Sequence, residues 1–545
     1  MSRNAAGPTA GRSLAQSLWV RDDSVALVEY TVGSLLEQQA HEHGEVVALV
    51  GTSHASDRER RLTYRDLYDE ALRVAQGILR LTVPGEFVAL WAPNVIEWPV
   101  VQYGCALAGV TLVSLNPALP AADLKFALNH SRATVLIHAD RNRHHDMATV
   151  VDSIRRDCPS LRAIASLSNW HQWTGAPAAT PLPQPDPNSA AMLHYTSGTT
   201  GTPKGVLLRH RSLVNVAKLT VQAADVVPGT VCLNPLPMFH TAACVIATLG
   251  PLWFGGCVVL PERFSPETAI ELLRRESVSV LFYVPTVLHG LVDAAETSAQ
   301  QPPMLRTAMG GAAPTPSALI EKAERLFGAT VHTLFGQTEL APVLSMTRAD
   351  DARADIVTTV GRPLPQVDCK IVDPVTGEVQ PVGQAGEICA RGYQQMIGYL
   401  HDPEETARTI DPDGWLHTED LGTMDERGVI TLAGRLKELI IRGGENIAPA
   451  EVEACLAEHE AVRDVVVVGV PDDRLGESVT AVLLVHDDAE GLRDSLAEHC
   501  RSQLAPFKVP EQWFVTDELP VTPTGKVRKF RVRDAISEGR LTPLS

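Results

Sequence analysis

The chain has 545 residues, of which 45% are hydrophobic and 21% charged, and its formal net charge is −18 at pH 7. This length allows several domains with a sizeable core, and the composition is that of an ordinary globular protein. The acidic balance argues against nucleic acid as a partner, and no run approaches the roughly 18–20 apolar residues of a membrane span. Nine cysteines without C-x-x-C or zinc spacing, and an N-terminus without a long apolar segment, predict a cytoplasmic protein.

Apolar strands alternate with helical patterns up to about residue 360. Thr63 is expected to cap a helix that follows Leu62, and residues 98–109 have the pattern of a helix between two strands. Because strands separated by helices form parallel sheets, the pattern predicts an α/β fold with doubly wound sheets. The strands are expected at 87–91, 110–115, 134–137, 232–239, 257–260, 278–284 and 331–335.

Near residue 362 the sequence changes to short strands bounded by glycine and proline, which predict a small β-rich subdomain over about 362–434. Its strands are expected at 367–372, 387–390 and 429–432. Beyond Arg435 a second pattern predicts a separate α+β domain, with helices at 450–458 and 490–504 and strands at 464–470, 479–485 and 512–515. We therefore expect an N-terminal domain over residues 1–434 and a C-terminal domain over 435–545.

A Gly/Thr-rich stretch, Thr196–Gly205, follows the apolar run Ala190–Leu193. Its glycines allow positive φ, so consecutive backbone N–H groups can turn toward one anion, and its hydroxyls add donors. Lys204 brings a positive charge that suits a polyphosphate. The alternative is an ordinary surface turn. The spacing differs from G-x-x-x-x-G-K-[ST], since Lys204 is preceded by a proline and followed by a glycine, so a classical P-loop NTPase is disfavoured.

Two segments that end predicted strands carry further polar groups. Residues 236–240 place His240 at the end of an apolar strand, where a histidine is most often structural. Residues 333–339 combine an aromatic ring, a glycine, two hydrogen-bonding side chains and the Glu339 carboxylate. Such a set suits a base, a phosphate and Mg²⁺, although a plain strand end and turn is the alternative.

The remaining polar segments lie at 414–420, 434–447 and 520–527. His417 and Asp420 would be two metal ligands without a third, so Asp420 is better used as a hydrogen-bond acceptor for a ribose diol. A turn bounded by proline and glycine can present Lys526 on a movable loop.

Taken in this order, these segments resemble those of the adenylate-forming (ANL) superfamily, which includes acyl-CoA synthetases, peptide-synthetase adenylation domains and firefly-type luciferases. The match extends from about Leu62 to Lys529, and residues 443–453 are similar to the acyl- and aryl-CoA ligase branch. The resemblance implies an AMP-forming acid–thiol ligase that uses ATP, Mg²⁺ and coenzyme A. A carboxylate attacks the α-phosphate of ATP to give an acyl-adenylate and pyrophosphate, and the CoA thiol then displaces AMP.

The resemblance also implies roles for individual residues. Catalysis would depend on Lys526, which bridges the carboxylate and the α-phosphate, and on His240, Thr338 and Glu339. The triphosphate would be held by Thr196, Ser197, Gly198, Thr199, Thr200, Gly201 and Lys204. The adenosine and α-phosphate would contact Gly311, Ala312, Ala313, Phe335, Gly336, Gln337, Thr338, Asp420, Leu432 and Arg435. Mg²⁺ would be bound by Glu339 and Thr200. The family more often has tyrosine where this chain has Phe335, so the ring is kept and only a hydroxyl contact differs.

A mobile C-terminal domain is implied as well, rotating about a hinge at Lys437. CoA would contact Gly443, Gly444, Phe507 and Lys508, and glycines suit a wall that a pantetheine arm passes closely. The acid pocket would be lined by His240, Thr241, Ala242, Ala243, Cys244, Tyr283, Gly310 and Leu334. Because these residues are small or apolar and none is a charged partner, the pocket predicts a monocarboxylic acid with an apolar body: medium-chain, alicyclic or aryl.

Two alternatives accompany this prediction. The first is an acid-activating ligase that loads a carrier protein, and the second is a non-catalytic nucleotide-binding relative. The second would be expected to lack Lys204, Glu339 or Lys526, and all three are present. The partners expected are the acid, ATP and CoA, with no nucleic acid and no membrane; the oligomeric state is left open, with a homodimer as one alternative.

Overall fold

The computed structural model describes residues 13–174, 181–196, 203–298, 300–313, 315–443, 445–472, 474–486, 491–521 and 527–544. Among these residues, no helix has both the length and the apolar character needed to cross a membrane. The described chain divides into two compact units. The first holds residues 20–368 and 390–416, and the second holds 13–19, 369–389 and 417–544.

Most of the described helices have a buried and an exposed face, but Glu97–Ala108, His210–Ala223 and Ala247–Trp253 are largely buried. Every residue of Glu97–Ala108 is buried, in keeping with its apolar sequence. Thr63 caps the helix that follows it through a capping box with Asp66, as predicted. The helices are α1 (Val32–His43), α2 (Tyr64–Leu79), α3 (Glu97–Ala108), α4 (Ala121–Ser131), α5 (Met147–Ile154), α6 (Trp170–Thr174), α7 (His210–Ala223), α8 (Ala247–Trp253), α9 (Pro266–Arg275), α10 (Pro285–Thr297), α11 (Ser317–Phe327), α12 (Arg353–Thr358), α13 (Pro403–Thr409), α14 (Pro449–Ala457), α15 (Leu492–Gln503) and α16 (Lys529–Ser537).

The strands coincide closely with the apolar runs in the sequence. They are β1 (Leu18–Trp19), β2 (Val47–Ser53), β3 (Arg58–Thr63), β4 (Phe87–Trp91), β5 (Thr111–Leu115), β6 (Val135–His138), β7 (Arg141–Asn142), β8 (His145–Asp146), β9 (Ala163–Ser166), β10 (Ala190–Thr196), β11 (Lys204–Arg209), β12 (Val231–Leu233), β13 (Cys257–Leu260), β14 (Val280–Tyr283), β15 (Thr307–Gly311), β16 (Thr330–Phe335), β17 (Ser345–Met346), β18 (Arg362–Pro363), β19 (Val367–Val372), β20 (Gly386–Gly392), β21 (Gly398–Tyr399), β22 (Leu416–Met424), β23 (Ile430–Arg435), β24 (Ile440–Arg442), β25 (Glu445–Ile447), β26 (Val462–Asp472), β27 (Gly476–Val485), β28 (Gln512–Val515) and β29 (Thr542–Pro543).

Two large sheets carry the first unit. In the described chain, one sheet has the order β21-β11-β10-β5-β4-β6-β9, and the other has the order β18-β17-β16-β15-β14-β12-β13-β2-β3. The inner strands of each sheet are parallel, whereas β3, β11, β17, β18 and β21 add antiparallel pairs at the edges. The predicted α/β fold with doubly wound sheets is confirmed.

One predicted strand was too long. The run expected at 232–239 forms a strand only over β12, because the prolines at 235 and 237 cannot donate to a sheet ladder. Beyond β12 the chain is held by side-chain hydrogen bonds to Asn94 and Asn234.

The second unit has its own sheets and core. Among the described residues, β1-β19-β20-β22-β23 form a small sheet, and β25-β24-β27-β28-β29 form another to which β26 adds by pairing with β27. The larger sheet, with α14 and α15, encloses an apolar core that includes Leu456, Val467, Leu483, Leu496 and Trp513. The β-rich and α+β patterns read from the sequence are both present here. The expected domain division at residue 434 stays a prediction.

Candidate active site

The ends of the Gly/Thr-rich stretch are fixed by paired strands. Thr196, the last residue of β10, lies opposite Lys204, the first residue of β11, in an antiparallel pair. On its other side, β10 runs parallel to β5 in the middle of the sheet. Residues 197–202 lie outside the described residues, so the predicted contacts of Ser197, Gly198, Thr199, Thr200 and Gly201 stay predictions.

Lys204 belongs to a cluster of charged groups at this edge of the sheet. Its ammonium group forms an ion pair with the carboxylate of Glu405, and both side chains are less than a fifth exposed. Glu405 also accepts a hydrogen bond from Arg408 at 3.0 Å. The hydrogen bond from Lys204, together with the one from Arg408, lowers the pKa of Glu405 although burial opposes the shift.

Tyr399 connects this cluster to Glu339. Its hydroxyl donates to Oε1 of Glu339 at 2.9 Å, and its ring centroid lies 5.0 Å from Nζ of Lys204. Glu339 sits in a 3-10 turn, Thr338–Leu340, directly after β16, and its residue is 9% exposed. Burial and then the neighbouring Glu339 raise the pKa of the Tyr399 hydroxyl, so the hydroxyl stays protonated and remains a donor. Lys204, Glu339, Tyr399, Glu405 and Arg408 are called the Tyr399 cluster below.

Sequence reasoning identified Lys204 and Glu339 but missed Tyr399 and Glu405. The only signal at hand was the Asp402-Pro403 start of a helix, and Asp402 does cap α13 by accepting from the Glu405 N–H at 2.9 Å. That signal predicts a helix start and not a partner for Lys204.

Several predicted adenine and acid residues meet at the carboxyl ends of three parallel strands. Tyr283 in β14 lies beside Gly310 in β15, which lies beside Thr333 in β16; Gly311 pairs with Leu334 in the same way. Side chains are excluded at both glycines, because a Cβ at Gly310 would overlap the carbonyl oxygen of Tyr283 and one at Gly311 that of Leu334. In parallel α/β sheets, ligands bind outside the carboxyl ends of the strands, so this is the place where a nucleotide is expected.

The residues that continue these strands have unusual backbone conformations. Ala312 has φ +69 after β15, while Gly336 has φ +157 after Phe335 ends β16. A Cβ at Gly336 would overlap the carbonyl oxygen of Pro342. Ala313 follows Ala312, and Gln337 precedes the turn that carries Thr338. The backbone therefore turns away from the sheet at both predicted adenine segments.

His240 does not end a strand, contrary to the sequence-based prediction. It lies in the loop after β12 and is followed by a π-helix, Ala242–Ile246. The preceding carbonyl, of Phe239, accepts hydrogen bonds from Ser114 Oγ at 3.0 Å and His194 Nδ1 at 3.2 Å. The chain thus leaves one large sheet through β12 and is held against β5 and β10 of the other. Residues 234–246 are called the anchored segment below.

The ionisable groups in and beside the anchored segment are neutral. Burial lowers the pKa of both His194 and His240 to about 4, and it raises the pKa of the Cys244 thiol. Nε2 of His240 is buried and has no hydrogen-bond partner among the described residues. Thr241, Ala243 and Cys244 are buried, whereas Ala242 is half-buried.

The predicted ribose and hinge residues lie in the second unit. Asp420 and Arg435 face each other across β22 and β23, and Arg435 Nε donates to Asp420 Oδ1 at 2.7 Å. Leu432 is 38% exposed on β23. Lys437 lies in a 3-10 turn, Leu436–Glu438, and pairs with Glu419 at 2.7 Å.

The predicted CoA residues also lie in the second unit. Gly443 has φ +60, a conformation that favours glycine, and its N–H donates to Leu475 O at 2.7 Å. The neighbouring Arg442 donates to the carbonyl of Phe507, so these two predicted contacts are close together. Lys508 pairs with Glu451 at 2.5 Å. Gly444 and Lys526 lie outside the described residues.

Two candidate metal ligands other than Asp420 lie beside His417. Ligand atoms of Glu387, Cys389 and His417 lie within 4.8 Å of one another, and His417 Nδ1 is 2.8 Å from Glu387 Oε2. The same Glu387 carboxylate accepts from the Glu419 N–H at 3.0 Å. These hydrogen bonds already give the carboxylate a structural use within the small sheet.

Comparisons with known proteins define the class of this chain. The AMP-binding enzyme family model matches residues 36–400, and the model of the AMP-binding enzyme C-terminal domain matches residues 451–526. The chain is 35% identical to the 3-[(3aS,4S,7aS)-7a-methyl-1,5-dioxo-octahydro-1H-inden-4-yl]propanoyl:CoA ligase of Rhodococcus jostii (strain RHA1), over 92% of this chain and 98% of that one. It is 29% identical to human mitochondrial medium-chain acyl-CoA ligase ACSF2, over 92% and 87% respectively. ATP-bound MatB from Rhodopseudomonas palustris superimposes with a TM-score of 0.82 at 26% identity, over 93% and 99%.

The chain therefore belongs to the AMP-binding enzyme family. Within it, the predicted membership of the adenylate-forming superfamily and of its acyl-CoA ligase branch is confirmed, as is the prediction of an AMP-forming ligase. The roles of the individual site residues stay predictions.

Proposed function

We propose that this protein is an ATP-dependent acyl-CoA synthetase that activates an apolar monocarboxylic acid and transfers the acyl group to coenzyme A. The observation that supports this choice is the contrast between two parts of the first unit. The Tyr399 cluster holds charged groups suited to a triphosphate, whereas the anchored segment is mostly buried and its ionisable groups are neutral. A site with these two characters can hold a polyanion and an apolar acyl group.

In the first half-reaction, a carboxylate oxygen attacks the α-phosphorus of ATP, and the bond to the bridging oxygen of pyrophosphate breaks. Both reactants are anions, so positive charge must offset their repulsion. Lys204 is proposed to contact the β- and γ-phosphates together with residues 196–201, and Thr338 the α-phosphate. Lys526 is proposed to bridge the carboxylate and the α-phosphate.

Glu339 fits a role in holding Mg²⁺ that arrives with ATP. Its carboxylate is a hard oxygen ligand, is mostly buried, and is oriented by the Tyr399 hydroxyl. Thr200 is proposed as a second contact. The ion would supply charge that neutralises the phosphates.

In the second half-reaction, the CoA thiol loses its proton to solvent, its sulfur attacks the acyl carbon of the adenylate, and AMP leaves with the bonding electron pair. Gly443 and Gly444 are proposed to form the wall of the thiol channel, with Phe507 and Lys508 near the CoA nucleotide. We further propose that residues 435–545 move as a domain about Lys437 between the two steps.

The acid itself is proposed to be medium-chain, alicyclic or aryl. Relatives named for medium-chain acyl groups and for a ring-bearing propanoyl group support this range. The small, mostly buried side chains from Thr241 to Cys244 and the side-chain-free Gly310 leave room for such a body, and none of them can pair with a second charge.

An exchange assay tests the proposal. The protein is incubated with ATP, labelled pyrophosphate and a panel of acids, and acid-dependent formation of labelled ATP reports adenylation. Free CoA is then added, and acyl-CoA and AMP are measured. We expect exchange to be fastest with apolar monocarboxylic acids, and we expect acyl-CoA to be the product. Preference for dicarboxylates or amino acids would contradict the proposed acid class, and turnover only with a loaded carrier protein would contradict the CoA acceptor.

A further inference from the structure

The segment Gly398–Thr409 lies between two groups proposed to face ATP. Tyr399 touches both of them, since its hydroxyl donates to Glu339 and its ring lies beside the Lys204 ammonium group. Glu405, in the first turn of α13, forms the ion pair with Lys204. One short stretch of chain therefore contacts the proposed metal-binding carboxylate and the proposed phosphate-binding lysine.

The backbone in and next to this segment is hydrogen-bonded to Glu339 and to the residue after Lys204. Leu400 N–H donates to Gly205 O at 2.7 Å, which ties it to the residue after Lys204. Just before the segment, Met396 N–H donates to Glu339 O at 2.8 Å, which ties the backbone there to Glu339 itself. Inside the segment, Tyr399 N–H donates to Thr406 Oγ1 at 2.8 Å. Tyr399 and Glu405 are thus presented on a frame that is hydrogen-bonded to the two groups they contact.

We infer that Tyr399 and Glu405 are positioning residues for the ATP site: Tyr399 orients the Glu339 carboxylate, and Glu405 orients the Lys204 ammonium group. Neither needs to touch ATP. This inference rests on the proposed function, because it assigns the two residues to the adenylation step.

The net charge of the cluster makes the inference testable. Glu405 carries one negative charge beside two cations, Lys204 and Arg408. If charge alone governed ATP binding, neutralising Glu405 would remove a repulsion and ATP would bind more tightly. If Glu405 orients Lys204, the same change releases a flexible lysine side chain and ATP binds more weakly.

The experiment compares Glu405→Gln and Tyr399→Phe with matched controls. Glu404→Gln makes the same change in charge at the residue before Glu405, whose side chain is 86% exposed. Tyr393→Phe removes a hydroxyl that is buried and without a hydrogen-bond partner in the described chain. The dissociation constant of ATP is measured by calorimetry at a series of Mg²⁺ concentrations, and acid-dependent exchange gives KM for ATP and kcat.

Glu405→Gln is expected to raise the Kd and KM for ATP about threefold to tenfold, the usual net contribution of one ordinary hydrogen bond. Tyr399→Phe is expected to raise the Mg²⁺ concentration needed for half-maximal ATP binding by a similar factor, with a smaller effect at saturating Mg²⁺. The controls should match the wild type, and thermal unfolding should show that all four variants are folded.

Two results would overturn the inference. Tighter ATP binding by Glu405→Gln would show that charge and not orientation matters, and variants that match their controls would show that neither residue acts on the site. If wild-type protein gives no acid-dependent exchange with any acid, the proposed function fails instead. The Kd for ATP still decides the positioning roles in that case.

Discussion

Two regions of the first unit handle ionisable groups in opposite ways. In the Tyr399 cluster, the Glu405 carboxylate is paired with two cations, Lys204 and Arg408, and hydrogen bonds from both lower its pKa. In the anchored segment, His240 and Cys244 are held neutral by burial, as is His194 of β10 beside it. The difference shows how one domain can offer charged side chains to a triphosphate and neutral, mostly apolar side chains to an acyl group.

The largest effect is expected from removing the cation of the charged region. Lys204→Ala should lower acid-dependent ATP–pyrophosphate exchange by about 10²–10³-fold, the usual cost of losing a group that stabilises charge in the transition state. Lys322→Ala, which removes a half-exposed lysine paired with Glu296, is the matched control. A loss of less than threefold would remove Lys204 from the proposed mechanism.

A second prediction concerns the backbone that separates the strand ends. Gly310→Ala should destabilise the fold by about 2–4 kcal/mol, because the new methyl group overlaps the carbonyl of Tyr283 and the strands must shift. Exchange activity should fall as well, since the predicted adenine and acid residues lie side by side at these strand ends. Denaturant unfolding of both proteins measures the change, and an unaltered midpoint would contradict the close approach of β14 and β15.

Acidification should weaken the fold through histidines that are buried or half-buried. His194, His210 and His240 have folded-state pKa values of about 4, below the ordinary value of 6.5. The unfolded chain therefore binds more protons between pH 4 and 6.5, so stability falls as the pH is lowered through this window. Each histidine contributes a slope of up to about 1.4 kcal/mol per pH unit.

The variant His210→Gln isolates one of these contributions. His210 Nδ1 accepts from Val32 N–H, and glutamine keeps an acceptor there. The pH dependence of the unfolding free energy should become shallower below pH 6.5, whereas the exposed His171→Gln should leave it unchanged. An identical slope in both variants would show that His210 is not held neutral.

The smallest effect is expected in the neutral region. Cys244→Ala should alter the ranking of acids in the exchange panel by a few-fold, because removing one sulfur atom enlarges a site that discriminates by apolar contact. KM for ATP should stay at the wild-type value. A change in KM for ATP without a change in acid preference would place Cys244 outside the acid pocket.

Much of the fold could be predicted from the sequence because apolar runs with turn residues at their ends are local signals. The strands at 257–260 and 512–515 are found at the predicted bounds. The contacts of Lys204 could not be predicted in this way, since they depend on pairing β11 with β21, almost two hundred residues later. Likewise, the apolar run up to Phe239 has the composition of a strand, and its actual path is set by Asn94, Ser114 and His194 from distant elements.

The hydrogen bonds of the anchored segment also limit how substrate preference can be re-engineered. Asn94 holds the backbone of Leu236 and Met238, while Ser114 and His194 share the carbonyl of Phe239. A chimera that exchanges residues 234–246 for those of another ligase would separate the loop from these three side chains and from Gln102, which donates to the carbonyl of Cys244 at 3.0 Å. Such a swap would have to transfer those side chains together with the loop.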